Sequence, residues 1–543
     1  MTSWEEKAAA KRAALAAAIP AELQFSAEQL PGPDRLDVSK VPAELLPAEV
    51  VAITELTASE LVAAIAARKY TSVEVTTAFI KRAVLAHQLL NVFTEFFPAM
   101  ALKRAAELDA ILAETGKPVG PLHGLPMTLK DQFRVKGVET SMGYVAWIGT
   151  PEAENSTMVD LLLEAGAVFF VKTNIPTSLM CPETDNVIYG KTFNAYNRTL
   201  SPGGSSGGEG ALVSMKGAPL GIGTDIGGSI RIPSSASGVY GLRPSHGRFP
   251  YLKVANSLPY NEVVPSVAGP LANSVADLTL FTQAVLAGKP WTYDPRVVPL
   301  PFAPYELPAR PLVFAVEFSD GLVTPHPPVL RGLRLAADAL RAAGHEVFEI
   351  KPFDPATGND VLLRSWTLDG GEEINSVLDA SGEPGIPEIK PFINGYKALN
   401  MMELFEFNKD KLEYKTAFLE YMRDLRSPSG KPIDAWLRPV MPSACVPAGK
   451  FKYRYLGYTG LLNVLDYPCV VVPTIKCDPA VDVPAPAPAD DADELEKLTH
   501  ADYDPEVYKN GPVGMQVIGG RLEEERTLAV AAVVDAAIKA ALA

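Results

Sequence analysis

Apolar positions recur at helical spacing through the first part of the chain. Residues 4–18 read as an amphipathic helix that closes near Pro20. Residues 21–50 are proline-rich and carry no period, which predicts an irregular strap across the surface. Thr57-Ala-Ser-Glu and Thr71-Ser-Val-Glu each place a glutamate three residues after a threonine. That pattern lets side chain and backbone cap one another reciprocally, so a helix is expected after each, the second running toward His87. Residues 98–114 give a further amphipathic helix.

The pattern then alternates. Leu125-Pro-Met-Thr-Leu-Lys reads as a strand, Ser156–Ala165 as a helix and Ala167-Val-Phe-Phe-Val-Lys as a short apolar strand. Leu312-Val-Phe-Ala-Val and His345-Glu-Val-Phe-Glu-Ile read as strands around a helix at 327–344, a βαβ unit. Helices are also expected at 270–289, 397–425 and about 522–541. In the 397–425 helix, Met401, Met402, Leu404 and Phe405 read as core packing. Residues 478–491 are a low-complexity Pro/Ala/Asp loop. Residues 201–248 are rich in Gly and Ser with little periodicity, and read as dense turns. Helix–strand alternation predicts the α/β class, a mixed twisted sheet covered by helices on both faces. No internal repeat or clean linker divides the 543 residues, so one large domain is expected. Within it, 1–56 form an N-terminal helix and strap, and 57–543 the core.

Composition narrows the function classes. Hydrophobic content of 47% and charged content of 21% are those of an ordinary globular protein. A formal net charge of −15 argues against nucleic acid or an anionic membrane as partner, since both require clustered Lys and Arg. No apolar run of membrane-spanning length occurs. Cys181, Cys445, Cys469 and Cys477 show no metal-ligand spacing, and four cysteines in so long a chain suggest free thiols in a reducing, cytoplasmic setting. The charged, Ala-rich N-terminus does not read as a signal peptide. The sequons at Asn155 and Asn197 are therefore taken as chance.

The candidate chemistry lies in the glycine-rich stretches. Ser229 follows Ile226, Gly227 and Gly228. A hydroxyl presented after paired glycines, with unshielded backbone N–H groups beside it, suits a nucleophile with an oxyanion hole built from residues 226–228. A serine hydroxyl needs a base. None of the six histidines lies in a motif that pairs it with Ser229. Lys130 ends an apolar strand, where burial lowers an amine's pKa toward neutrality.

These residues carry a resemblance. Gly-Gly-Ser-Ser-Gly-Gly-Glu-Gly at 203–210 and Asp-Ile-Gly-Gly-Ser-Ile-Arg-Ile-Pro at 225–233, with Lys130 ahead of them, closely resemble the amidase signature family. Weaker similarity runs from about residue 57 to the C-terminus, including Tyr467-Pro-Cys-Val-Val-Val-Pro and Gly511-Pro-Val-Gly-Met-Gln-Val-Ile-Gly-Gly-Arg. Within the family, the Trp-Glu-Glu-Lys opening and Glu209 look most like the fungal acetamidases and general amidases, and next like the fatty-acid amide hydrolases. The resemblance implies a triad of Ser229 as nucleophile, Ser205 as bridging serine after a cis peptide at Gly204, and Lys130 as terminal base. It places Ser206, Asp225 and Arg231 around the triad as hydrogen-bonded support. It assigns Leu179, Met180 and Cys181 to the substrate pocket. It implies a cofactor-free, metal-free hydrolase of small to medium carboxylic amides, with carbamates and aryl amides open as substrates and a homodimer open as assembly.

Competing readings are weaker. Gly203-Gly-Ser-Ser-Gly also fits the nucleophile elbow of α/β-hydrolases, a pattern of little weight inside a Gly/Ser run. Tyr189-Gly-Lys-Thr ends like a phosphate-binding loop, but position 185 is Asp where that loop requires glycine. Cys181 alone reads as a small buried hydrophobe. A non-catalytic binding protein on the same scaffold is the alternative from another class, against which all three triad positions are intact.

Overall fold

The computed structural model describes residues 3–543. Its strands are β1 (Phe93–Phe96), β2 (Pro126–Lys130), β3 (Val168–Thr173), β4 (Leu220–Asp225), β5 (Tyr240–Arg243), β6 (Val267–Ala272), β7 (Val313–Val316), β8 (Glu346–Glu349), β9 (Ala435–Pro439), β10 (Cys469–Lys476) and β11 (Pro512–Ile518). They form an 11-stranded sheet in the order β1-β3-β2-β4-β6-β5-β10-β11-β9-β7-β8. β2 runs parallel to both β3 and β4. β6, β5, β10 and β11 continue it antiparallel. The sheet is mixed and helix-covered, as the alternation predicts.

The capping patterns act as expected. Thr57 Oγ1 accepts from Glu60 N at 3.3 Å while Glu60 receives the Thr57 N–H at 2.8 Å. Thr71 and Glu74 repeat the exchange at 3.0 and 2.8 Å. The helices Ala58–Ala66 and Ser72–Leu90 start there. β7 and β8 pair in parallel across the helix Pro327–Ala342, the expected βαβ unit.

Other expectations change. The strap contains two short helices, Val41–Leu45 and Ala48–Thr54. The helix Trp4–Ala18 is fastened by buried Lys11, which pairs with Glu95 of β1 and, at 2.9 Å, with Glu139. Residues 267–272 are strand, and the helix expected from 270 begins at Val275, capped by Ser274. The Gly/Ser-rich stretch is not all turn. It holds the helix Gly207–Ser214, β4, the helix Arg231–Ser237 and β5. Almost every residue there is buried, so no face alternates with solvent and no period is written into the sequence. In the helix Met401–Asp424 the core stripe is Phe407, Tyr414 and Phe418. Met401, Met402 and Phe405 are exposed and lie off that stripe, so their expected core role fails, whereas Leu404 is half-buried and packs against the core beside it. Among the described residues no helix is long and apolar enough to cross a membrane.

Candidate active site

The parallel strands β2 and β4 end side by side, where an α/β sheet opens a crevice at its carboxyl edge. Lys130 is the last residue of β2. Alternation puts Thr128 and Lys130 on one face, toward the helix Gly207–Ser214. Lys130 is fully buried. Its Nζ lies 2.7 Å from Ser205 Oγ and 2.8 Å from Thr224 Oγ1. Burial pushes the amine down to about 7, against the opposing pull of the Asp225 and Glu209 carboxylates. Near neutrality this amine can therefore be uncharged and accept a proton.

Ser205 sits in the loop before its helix, and the Gly204–Ser205 peptide is cis. Ser229 stands in the loop after β4 and is half-buried. Ser206 N donates to Ser229 O at 3.2 Å, which ties the two serine loops together. Ser206 Oγ also accepts the Thr224 N–H at 3.3 Å. The Ser205 and Ser229 hydroxyls share no hydrogen bond in this structure.

Asp225 organises the Ser229 loop. One carboxylate oxygen accepts from Gly228 N at 2.9 Å, and the other from Ile230 N at 3.1 Å. Arg231 binds the same carboxylate through Nε at 3.0 Å and Nη2 at 2.8 Å, and Asn463 adds a bond at 2.9 Å. Although burial raises a carboxyl, Arg231 and these bonds outweigh it and hold Asp225 well below the usual carboxylate range. Arg231 is anchored further by Thr459 O at 2.7 Å and Gln516 at 2.9 Å. Ser206, Asp225 and Arg231 are thus hydrogen-bonded to the two serine loops.

Gly228 needs a correction. Expected in the oxyanion hole, its N–H is committed to Asp225. The backbone N–H groups of Ile226, Gly227 and Ser229 carry no partner among the described residues. Both glycines are required by space. A Cβ on Gly227 would lie 2.3 Å from the Trp366 ring, and Gly228 has φ +133° with Thr459 Oγ1 2.5 Å from where its Cβ would be.

Leu179, Met180 and Cys181 line a cavity of about 30 Å³ at Ser229, together with Trp366 and Leu456. Trp366, Leu456, Cys181 and Pro182 are shared with an outer chamber of about 390 Å³. Cys181 is buried, and burial raises its thiol far above the ordinary value, so it is no nucleophile. The histidines are engaged elsewhere. The Nδ1 atoms of His87, His123 and His345 accept backbone N–H groups, and the Nε2 atoms of His326 and His500 meet backbone carbonyls. His246 lines a separate cleft. Among the described residues no cluster of His, Cys, Asp and Glu is placed to hold a metal ion.

Sequence reasoning missed Thr224, Gln132, Trp366 and Leu456. Thr224 precedes Asp225 inside the motif, and Gln132 is one alternation beyond Lys130, so both could have been found. Trp366 and Leu456 come from distant helical segments with no local signal.

The amidase family model matches residues 74–528. The chain belongs to the amidase signature family and is an amide-hydrolysing enzyme. It is 46% identical over 538 residues to an acetamidase of Emericella nidulans, covering 97% of each chain. It is 45% identical to an acetamidase of Aspergillus oryzae, covering 97% of this chain and 98% of that one. Its fold superimposes on fatty acid amide hydrolase with a TM-score of 0.92 at 33% identity, covering 98% of this chain and 94% of the other.

Proposed function

We propose that this enzyme hydrolyses the C–N bond of small carboxylic amides through Ser229, Ser205 and Lys130, with an acyl-enzyme on Ser229. The observation that carries this reading is the fully buried Lys130 amine, 2.7 Å from Ser205 and lowered to about 7. Neutral Lys130 takes the Ser205 proton as Ser205 takes that of Ser229. The Ser229 oxygen attacks the amide carbonyl, and the resulting oxyanion is met by the free N–H groups of residues 226, 227 and 229. The protonated lysine then returns a proton through Ser205 to the departing nitrogen, because an amide anion is a very poor leaving group. Ammonia or an amine leaves, and water repeats the cycle to release the acid. Rotation of the Ser229 hydroxyl closes the relay when substrate binds. The three side chains relay the protons of the cycle, and the hydrolytic water restores to Ser229 the one that left with the nitrogen.

The substrate reading rests on the Ser229 cavity. The cavity at Ser229 holds about 30 Å³, a few times the roughly 10–15 Å³ that one water requires, which suits a short acyl group such as acetyl. The similarity to acetamidases supports the same class. The chain acts as one catalytic domain, with the helix Trp4–Ala18 clasped onto it by Lys11. The four buried free thiols fit a reducing, cytoplasmic compartment.

A panel of acetamide, longer aliphatic amides, anilides and carbamates tests the proposal. Ammonia release should be fastest from short-chain amides and absent in Ser229→Ala. Preference for a carbamate or a long acyl chain would overturn the substrate class, and an active Ser229→Ala would overturn the mechanism.

A further inference from the structure

Lys130 has a second hydrogen-bond partner that the triad does not use, and the direction of that bond can be worked out from its neighbours. Thr224 Oγ1 lies 2.8 Å from Lys130 Nζ and 2.5 Å from Gln132 Oε1. Gln132 Nε2 donates to the Ala255 carbonyl at 2.7 Å and to Tyr251 Oη at 3.0 Å. A carbonyl can only accept, so the amide of Gln132 is fixed with its nitrogen toward Ala255 and its oxygen toward Thr224. An amide oxygen also only accepts, so the single Thr224 hydroxyl proton points at Gln132. Thr224 therefore faces Lys130 with lone pairs alone, and one lysine N–H must donate to it. Onward, Tyr251 donates to Ser266 at 3.0 Å. From Thr224 through Gln132 and Tyr251 to Ser266, each donor points away from Ser205 and Ser229. The row ends in a cleft of about 620 Å³ lined by Tyr251 and Ser266.

We infer that Gln132 and Thr224 are positioning residues that aim the lone pair of neutral Lys130 at Ser205. A neutral amine has two N–H bonds and one lone pair. A freely rotating hydroxyl at 224 could donate its proton to that lone pair and block the base. Gln132 removes this option by holding the Thr224 proton. The lysine then anchors itself by an N–H and leaves its lone pair for Ser205. The titratable groups that face Lys130 are otherwise occupied, and burial pushes the Glu209 carboxyl up to about 8. Asp225, at the end of β4, binds Arg231, and Glu209, on the helix Gly207–Ser214, accepts from Thr128 at 2.5 Å and Thr173 at 2.8 Å. On the β3 side, Lys172 binds Glu139 O at 2.6 Å and Thr140 at 2.8 Å.

This inference rests on Lys130 being the base, and the test separates the two. The full-length enzyme and the variants Gln132→Met, Thr224→Val, Thr224→Ser and Gln132→Met/Thr224→Val are compared on acetamide. Gln132→Met frees the Thr224 proton. Its kcat should fall about tenfold, the worth of a buried hydrogen bond, with KM little changed and the acid limb of kcat/KM moved to lower pH. Thr224→Ser should keep kcat near wild type. Adding Thr224→Val to Gln132→Met removes the misdirected proton and should raise kcat back to the level of Thr224→Val alone. Losses that simply multiply in the double variant, or an unchanged kcat in Gln132→Met, would overturn the clamp. If Gln132→Met does not fold, equal kcat in Thr224→Val and wild type overturns it, and a loss in Thr224→Val restored by Thr224→Ser supports it. An active Lys130→Ala would instead overturn the triad itself.

Discussion

Trp366 lines both the cavity of about 30 Å³ at Ser229 and the chamber of about 390 Å³, and its ring packs against Gly227. Replacing it by leucine keeps an apolar wall but removes the indole. The inner cavity then opens toward the outer chamber, and longer acyl chains gain a place to lie. Each buried methylene contributes about 0.8 kcal/mol, or roughly a fourfold gain in kcat/KM. Butanamide has two methylenes more than acetamide. Trp366→Leu should therefore raise the butanamide-to-acetamide ratio of kcat/KM by about 15-fold over wild type. The assay is initial-rate ammonia release at pH 8 with both amides, alongside a thermal melt. The ratio is internal to each protein, so a general loss of activity cancels. A ratio unchanged in a folded Trp366→Leu protein would show that the indole does not set acyl length.

Two further outcomes follow from the same contacts. Ser205→Ala should harm amide hydrolysis more than hydrolysis of the matching ester, because an ester's leaving group needs less protonation; equal losses in paired kcat/KM measurements would remove Ser205 from the leaving-group step. Asp225→Asn leaves Arg231 buried without its carboxylate and should lower stability by about 3–5 kcal/mol, seen as a reduced denaturation midpoint, with an unchanged midpoint counting against Asp225 as the organiser of the loop.

The site was legible where its residues are close in sequence. Ser205, Ser206, Asp225, Ser229 and Arg231 fall in two short glycine-rich stretches, and those stretches meet because β4 lies between them. Lys130 ends an apolar strand, but a strand-end lysine is usually a surface residue, and only its place ahead of the two glycine-rich motifs singled it out. Gly228 was misjudged because sequence shows that a backbone N–H is unshielded, but not that Asp225 has already taken it. Trp366 could not be read at all, since it reaches the site only through the packing of a distant helix. The fold followed the same rule. Capped helices at 58–66 and 72–90 were visible through their amphipathic faces and paired Thr and Glu, whereas β4, β5 and the helix Gly207–Ser214 are buried on all sides and leave no period. Met401, Met402 and Phe405 failed for the opposite reason, since an apolar side chain does not declare which stripe of its helix meets the core.

In the proposed mechanism an uncharged Lys130 activates Ser229 by way of Ser205. The rate of covalent labelling by a fluorophosphonate, followed across pH 5–10 with the adduct mapped by mass spectrometry, tests it without needing the natural substrate. The adduct should lie on Ser229, and its rate should climb through a midpoint near 7 as the lysine loses its proton, then level off. In Lys130→Ala the rate should fall by orders of magnitude and that midpoint should vanish. A midpoint near 7 that survives in Lys130→Ala, or an adduct on another residue, would contradict the account.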